Sequence, residues 1–243
     1  MIIGNGLLAG SLKDFDREDC VFLASGVSDS KCSDIVEFQR EEKLVKEEVL
    51  KHPGKKIIFF STFSINDPVM NHNMYVESKL SLEEFISQNC EQFLIVRISN
   101  LVGKGGNPKT VFNFFISNIV NGNSFSLWAS SVRNLIMVED FARILNFILE
   151  HEWADWKNSI VNIVNAKSYS AGEIVASIES FTGKKADYEL VDIVSNPRYE
   201  DEHAAYLFRK LNIETDEYLQ RILQSYYQEY QSAGLTFKTV STK

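Results

Sequence analysis

The chain has 243 residues, 44% of them apolar and 24% charged, a balance that excludes a disordered or fibrous chain and gives enough length for a full buried core. A formal net charge of -8 argues against a nucleic-acid surface as its main task, while leaving room for a local basic pocket that takes a phosphate. Cys20, Cys32 and Cys90 have no metal-ligand spacing, so no metal is expected, and an odd cysteine count suits a reducing compartment.

The start MIIGNGLLAG has no basic segment and no long apolar run, so neither a signal peptide nor a membrane span is expected and the protein reads as cytoplasmic. Residues 1–3 read as a very short strand. Gly4, Asn5, Gly6, Leu7, Leu8 and Ala9 then spell G-x-G-x-x-A. Glycines there allow a tight turn and let backbone N–H groups approach a pyrophosphate at a helix N-terminus; a plain strand-to-helix turn has the same spelling. Residues 19–28, DCVFLASGVS, read as a buried strand. Its end in Ala24, Ser25 and Gly26 is small enough to leave space for a ligand in the crevice there. Only residues 10–18 separate these strands, enough for a short helix but not for a helix, strand and helix. No second strand therefore brings an acid to an adenosine ribose about 20 residues on.

Residues 34–51 set Ile35, Phe38, Val45 and Val49 among charges, the pattern of an amphipathic helix that Pro53-Gly54 ends. A strand over 56–61 follows and delivers the hydroxyl pair Ser61 and Thr62. After a polar loop containing His72, which is read as an exposed histidine within reach of a site, a helix runs from 75 to 88. Its Tyr75 and Lys79 are four apart and share one face. A strand over 92–98 ends at Ser99-Asn100. Helices are expected over 110–120, 139–149 and 170–181, the last with a Ser170/Glu173 capping box. Strands are expected over 125–128, 134–138, 160–164 and 188–194. Residues 211–230 read as mostly helical, and the tail over 232–243 as disordered. Alternating strands and helices predict an α/β fold with a largely parallel sheet and ligands at the carboxyl ends of its strands. Gly4, Ser25, Thr62 and Asn100 each fall at such an end, so one crevice is expected to hold all four.

Tyrosine is a poor acid near neutrality, but a neighbouring ammonium stabilises its phenolate. Such a tyrosine gives a proton to a developing alkoxide while a hydride arrives at the same carbon, and a hydroxyl such as that of Thr62 fixes the substrate oxygen. Side chains supply no hydride, so a nicotinamide is required. Chance alone supplies a Tyr and a Lys four apart about as often as not in a chain of this composition, so the placement after a Ser-Thr strand end carries the argument.

Taken together, Gly4 to Ala9, VFLASGVS, FFST with Tyr75-Val76-Glu77-Ser78-Lys79, LIVRISNLVGKGG, SVRNLIMVEDFARIL and IVNIVNAKSYSAGEIVASI occur in an order that resembles the extended short-chain dehydrogenase/reductase family, specifically its NAD(P)-dependent epimerases, dehydratases and reductases of nucleotide-diphosphate sugars. The resemblance implies a Rossmann-like doubly wound parallel sheet, abbreviated by one early strand–helix–strand stretch, over residues 1–165, and a small C-terminal α/β substrate lobe over 166–231. It implies Thr62, Tyr75 and Lys79 as the catalytic set and Gly4, Asn5, Gly6, Leu7, Leu8, Ala24, Ser25, Gly26, Tyr75 and Lys79 around NADP or NAD. Asn100 and Arg133 would grip the substrate, Arg133 by its nucleotide diphosphate. Trp128 would face a nucleotide base, against the alternative of a core tryptophan, and Arg198 would be a second phosphate ligand, against that of a surface arginine. The implied activity is oxidoreduction of a nucleotide sugar, most simply keto-sugar reduction, with epimerisation the near alternative and a non-catalytic binding protein a third. Polysaccharide biosynthesis is the implied setting, with a homodimer through the helix over 34–51 or 75–88, no nucleic acid and no membrane. Where dehydratases of the family carry an acidic pair after the threonine, this chain has Phe63-Ser64, so water elimination is not expected. The missing stretch removes part of the usual adenosine pocket.

Overall fold

A computed structural model describes residues 1–67, 73–105, 107–108, 110–129, 131–191 and 201–232. In chain order, β1 (Ile2–Ile3) and the short helix α1 (Leu7–Ser11) lead to β2 (Cys20–Leu23), α2 (Ile35–Lys51), β3 (Lys56–Thr62), α3 (Met74–Asn89) and β4 (Phe93–Ile98). Next come β5 (Asn100–Val102), α4 (Val111–Asn121), β6 (Phe125–Leu127), β7 (Val132–Met137), α5 (Val138–His151), α6 (Trp153–Trp156) and β8 (Ser159–Ile163). The chain continues through β9 (Ser168–Ser170), α7 (Ala171–Thr182), β10 (Tyr188–Leu190), α8 (Glu202–Lys210) and α9 (Tyr218–Tyr226).

Strands β1, β2, β3, β4 and β8 form a five-stranded sheet in that order, and every pairing in it is parallel. Its strands are nearly continuous apolar runs because helices cover both faces. Side chains alternate across each strand. Val21, Leu23, Ile57, Phe59, Phe93 and Ile95 pack with Val45 and Val49 of α2 and Leu82 and Ile86 of α3. On the other face Phe22, Ile58, Phe60, Leu94 and Val96 belong to a larger cluster with Phe141, Leu145 and Ile148 of α5, and it extends to α4, α7 and α9. This is the Rossmann-like parallel α/β arrangement expected from the sequence. The abbreviation is visible too. Between β1 and β2 the chain makes only α1 and a single 3-10 turn, Lys13–Phe15, and among the described residues β1 pairs with β2 alone.

Helix starts follow local chemistry. Asp34 accepts from the Val36 N–H, Asn73 from the Tyr75 N–H, and Ser170 with Glu173 forms the capping box that the sequence predicts. The smaller strands close the layout: β5 pairs with β7 in parallel, β7 with β9 antiparallel, and β6 with β10 in parallel.

Some expectations change. The strand expected over 19–28 ends at Leu23, so Ala24 to Gly26 are loop rather than strand. Within the mostly helical stretch expected over 211–230, helix begins only at Tyr218, with α9 and the 3-10 turn Gln228–Tyr230, while α8, which ends at Lys210, was not expected. Asn212 and Glu217 break the run with left-handed backbone, at φ 51 and 52. The short strands β5 and β9 were not expected, because three-residue strands carry no readable period. Arg198, His72 and the tail from 233 onward lie outside the described residues. Among those described, no helix is long and apolar enough to cross a membrane.

Candidate active site

A parallel sheet sends the carboxyl ends of its strands to one side, and the segments that follow them line a single cavity of about 1290 Å³. Single small-ligand pockets run to roughly 300–1,000 Å³, so this one has room for more than one ligand. Asn5, Gly6, Leu7 and Leu8 line it after β1, and Ala24, Ser25 and Gly26 line it after β2. Thr62, Tyr75 and Lys79 come from β3 and α3, and Asn100, Trp128 and Arg133 from beyond β4.

Two glycines are required by close approach. At Gly4, with φ 141, a Cβ would stand 2.2 Å from the Ala24 carbonyl oxygen. The turn after β1 therefore rests directly on the chain leaving β2. At Gly26 a Cβ would stand 2.4 Å from a Glu41 oxygen and 2.6 Å from the Lys79 nitrogen. Gly4 does not itself line the cavity; it shapes the wall that does.

Thr62 is the last residue of β3 and its Oγ1 accepts the Ser64 N–H at 3.1 Å, starting the 3-10 turn Phe63–Asn66. Its neighbour Ser61 is engaged elsewhere, donating to Glu83 at 2.5 Å, and Glu83 is held in turn by both ends of the Arg97 guanidinium, at 3.0 and 2.6 Å. Of the hydroxyl pair, Thr62 is thus the one without a buried acid as its partner. Tyr75 sits in the first turn of α3, whose entry Asn73 fixes by accepting the Tyr75 N–H. The ring is buried in a cluster with Phe38 and Val76.

Lys79 follows one turn later, its Nζ 5.8 Å from the centroid of the Tyr75 ring and 5.5 Å from that of Phe59. It is not the bare ammonium the sequence suggested. Glu41 of α2 accepts from Nζ at 2.5 Å, and both side chains are only 2% exposed. The second Glu41 oxygen accepts the Val27 N–H at 2.8 Å. Glu41 was missed in the sequence, although it left a trace: it lies three residues after Phe38 and four before Val45, on the apolar face of α2 where an acid needs a partner.

Farther along the cavity, Asn100 donates to the Asn134 carbonyl at 2.9 Å. Trp128 is 44% exposed, so it is a wall of the cavity and not the core residue its short strand also allowed. Arg133 donates to the Val132 carbonyl at 2.9 Å. Burial pulls its guanidinium below its ordinary value, and the carboxylate of Asp67 opposes that shift. Asp67, another cavity acid, was also missed; it lies in a polar loop where nothing local marks it.

Residues 49–164, a little under half of the chain, match a family model described as the NAD dependent epimerase/dehydratase family. Several solved structures share the fold. UDP-glucuronic acid 4-epimerase from Bacillus cereus, in complex with UDP-glucuronic acid and NAD, is 19% identical with a TM-score of 0.69, covering 92% of this chain and 77% of that one. The dTDP-glucose 4,6-dehydratase of Bacillus anthracis str. Ames, in complex with NAD, is 18% identical with a TM-score of 0.63, covering 94% and 77%. RMD from Pseudomonas aeruginosa, complexed with NADPH, is 15% identical with a TM-score of 0.63, covering 92% and 84%. No curated protein matches the sequence. The expected likeness to the extended short-chain dehydrogenase/reductases is thus found in the sequence of the central stretch and in the fold.

Proposed function

We propose that this chain, with the NAD dependent epimerase/dehydratase pattern in its central stretch, is an NAD(P)-dependent oxidoreductase of a nucleotide-diphosphate sugar, and that it works as a keto-sugar reductase with Tyr75 as general acid. The observation that carries this reading is the shared cavity: Thr62, Tyr75 and Lys79 line the same space as the glycine turn, Asn100, Trp128 and Arg133. Its volume of about 1290 Å³ suits a dinucleotide and a nucleotide sugar together.

The residues fit the cofactor unequally. At Gly26 the backbone lies on the Glu41–Lys79 pair without room for a side chain, which makes a backbone-lined trough beside an ammonium. That fits the nicotinamide ribose, with Lys79 as its hydrogen-bond donor. The adenosine end has less to offer, since among the described residues no strand lies beyond β1 to present an acid there. Both NAD and NADP are admitted, as they are among the structural neighbours, one of which holds NAD and another NADPH.

When bound, the nicotinamide supplies the hydride. Thr62 donates a hydrogen bond from Oγ1 to the sugar's keto oxygen and fixes it in place. Tyr75 gives its hydroxyl proton to that oxygen, which becomes an alcohol, and the phenolate left behind is stabilised by Lys79 and re-protonated from solvent. Asn100 and Arg133 grip the substrate, Arg133 by its nucleotide diphosphate, and Trp128 offers its face to the base. Phe63-Ser64 place no acid and base beside Thr62 for water elimination.

Epimerisation is the second reading, favoured by the family description of residues 49–164. A panel of nucleotide-linked sugars and keto sugars, followed by absorbance of the reduced cofactor, separates the two. Net oxidation of NADH or NADPH supports the reductase, isomerisation without it the epimerase, and failure to bind either cofactor at millimolar concentration overturns both in favour of a non-catalytic binding protein. The same reading includes a cytoplasmic homodimer through α2 or α3, which sedimentation equilibrium tests.

A further inference from the structure

Three segments far apart in sequence meet at Glu41. It stands in the middle of α2, it holds Lys79 of α3 at 2.5 Å, and it takes the N–H of Val27, in the loop after β2, at 2.8 Å. The Gly26 backbone lies on the pair so closely that a Cβ there would overlap both charged groups. Burying a carboxylate and an ammonium removes both from water, and a pair of apolar side chains would hold α2 to α3 at least as well. The pair is therefore poorly explained as a helix clamp. It does what an apolar pair would not do: it keeps a charged amine at a fixed place in the cavity wall. An ammonium has three N–H donors. Among the described residues Glu41 is the one hydrogen-bond acceptor found for Nζ, at 2.5 Å. The other donors remain for hydroxyl groups of a ligand in the cavity that Lys79 lines.

We propose that Glu41 is a positioning residue: its carboxylate locks the Lys79 ammonium and the Gly26–Val27 backbone into one unit that receives the ribose hydroxyls of the nicotinamide cofactor. This rests on the reading of the cavity as an NAD(P) site. Glu41 touches no substrate in this account and acts through Lys79.

The test is a double-mutant cycle read by binding and not by turnover. NADH and NADPH dissociation constants are measured by fluorescence titration on the wild type, Glu41→Gln, Lys79→Met and the double variant. Glu41→Gln weakens binding at least about tenfold, because one amide oxygen cannot hold both Lys79 and Val27. In the Lys79→Met background the same substitution changes the constant by less than about twofold, since the group it positions is gone. A scaffold role would weaken binding equally in both backgrounds, and that result overturns the proposal. So does unchanged or tighter binding by Glu41→Gln. Should Glu41→Gln not fold, Glu41→Asp keeps the charge and withdraws it by one methylene. Weaker cofactor binding by the folded Asp variant supports the proposal and wild-type binding overturns it. A wild type that binds neither cofactor at millimolar concentration overturns the NAD(P) reading and this proposal together, an outcome distinct from additive losses in a protein that binds.

Discussion

The cavity's chemistry rests on single groups placed by local rules. Tyr75 is four residues from Lys79, and α3 is started by Asn73 so that both fall on its buried side. Tyr75→Phe keeps the ring in its cluster with Phe38 and Val76 while removing the proton. We expect cofactor binding to stay within about twofold and kcat to fall by about 10²–10⁴, measured by calorimetry and by reduced-cofactor absorbance on the same preparation. Lys79→Met alone leaves Glu41 as an unpaired buried acid, so it lowers unfolding stability by about 3–5 kcal/mol, and adding Glu41→Gln restores part of that loss. Urea titration of the single and double variants checks both statements. Gly4→Ala brings a Cβ against the Ala24 backbone, which cannot move as a side-chain tip can. A stability loss of about 1–3 kcal/mol is expected, seen as a lower urea midpoint with an unchanged slope.

At the scale of elements, α8 and α9 tie the C-terminal part to the sheet through polar groups. Tyr218 of α9 is 1% exposed, accepts the Met137 N–H at 2.9 Å and donates to Asp140 at 2.8 Å, at the junction of β7 and α5. Burial, with the Asp140 charge, pushes its phenol far above the usual tyrosine range, so it remains a hydroxyl. Tyr218→Phe leaves a buried N–H without a partner and lowers stability by about 1–3 kcal/mol in the same urea assay. His203 of α8 packs against Trp156 with ring centroids 4.3 Å apart and the planes tilted by 37°. Burial holds its imidazolium below the ordinary histidine value, against the pull of Asp201 and Glu152. The unfolded chain, titrating near 6.5, then binds more protons than the native one. Stability is therefore full above about pH 6.5 and is lost as the pH falls from there through the lower folded value. Urea midpoints for the wild type and His203→Gln at several pH values between 8 and 5 check this; the variant's midpoint changes less over the acid half of that range. Neither contact was legible in the sequence: no helix was expected over α8, and residues 211–230 read as a mostly helical run. Asn212 and Glu217 break it with a backbone conformation that no amphipathic period reveals.

Across the whole molecule, the sequence by itself determined the α/β alternation, the capping box that starts α7, and the placing of Thr62, Tyr75 and Lys79 along one cavity. Each depends on spacing within one element or on the strand before it, and the short link between β1 and β2 is likewise read by counting residues. What that short link does to the sheet was decided only in three dimensions: among the described residues β1 becomes an edge, and the segments after β1, β2 and β3 line one cavity. The same holds for charge. Glu41 lies 38 residues before its partner Lys79, and the Asp67 charge acts on Arg133, a residue far from it along the chain. Local patterns fix which face of a helix is buried, because apolar side chains repeat with its turn. Which buried charge meets which depends on how α2, α3 and the loop after β2 pack on one sheet, since a desolvated ion is tolerated only where packing brings its partner.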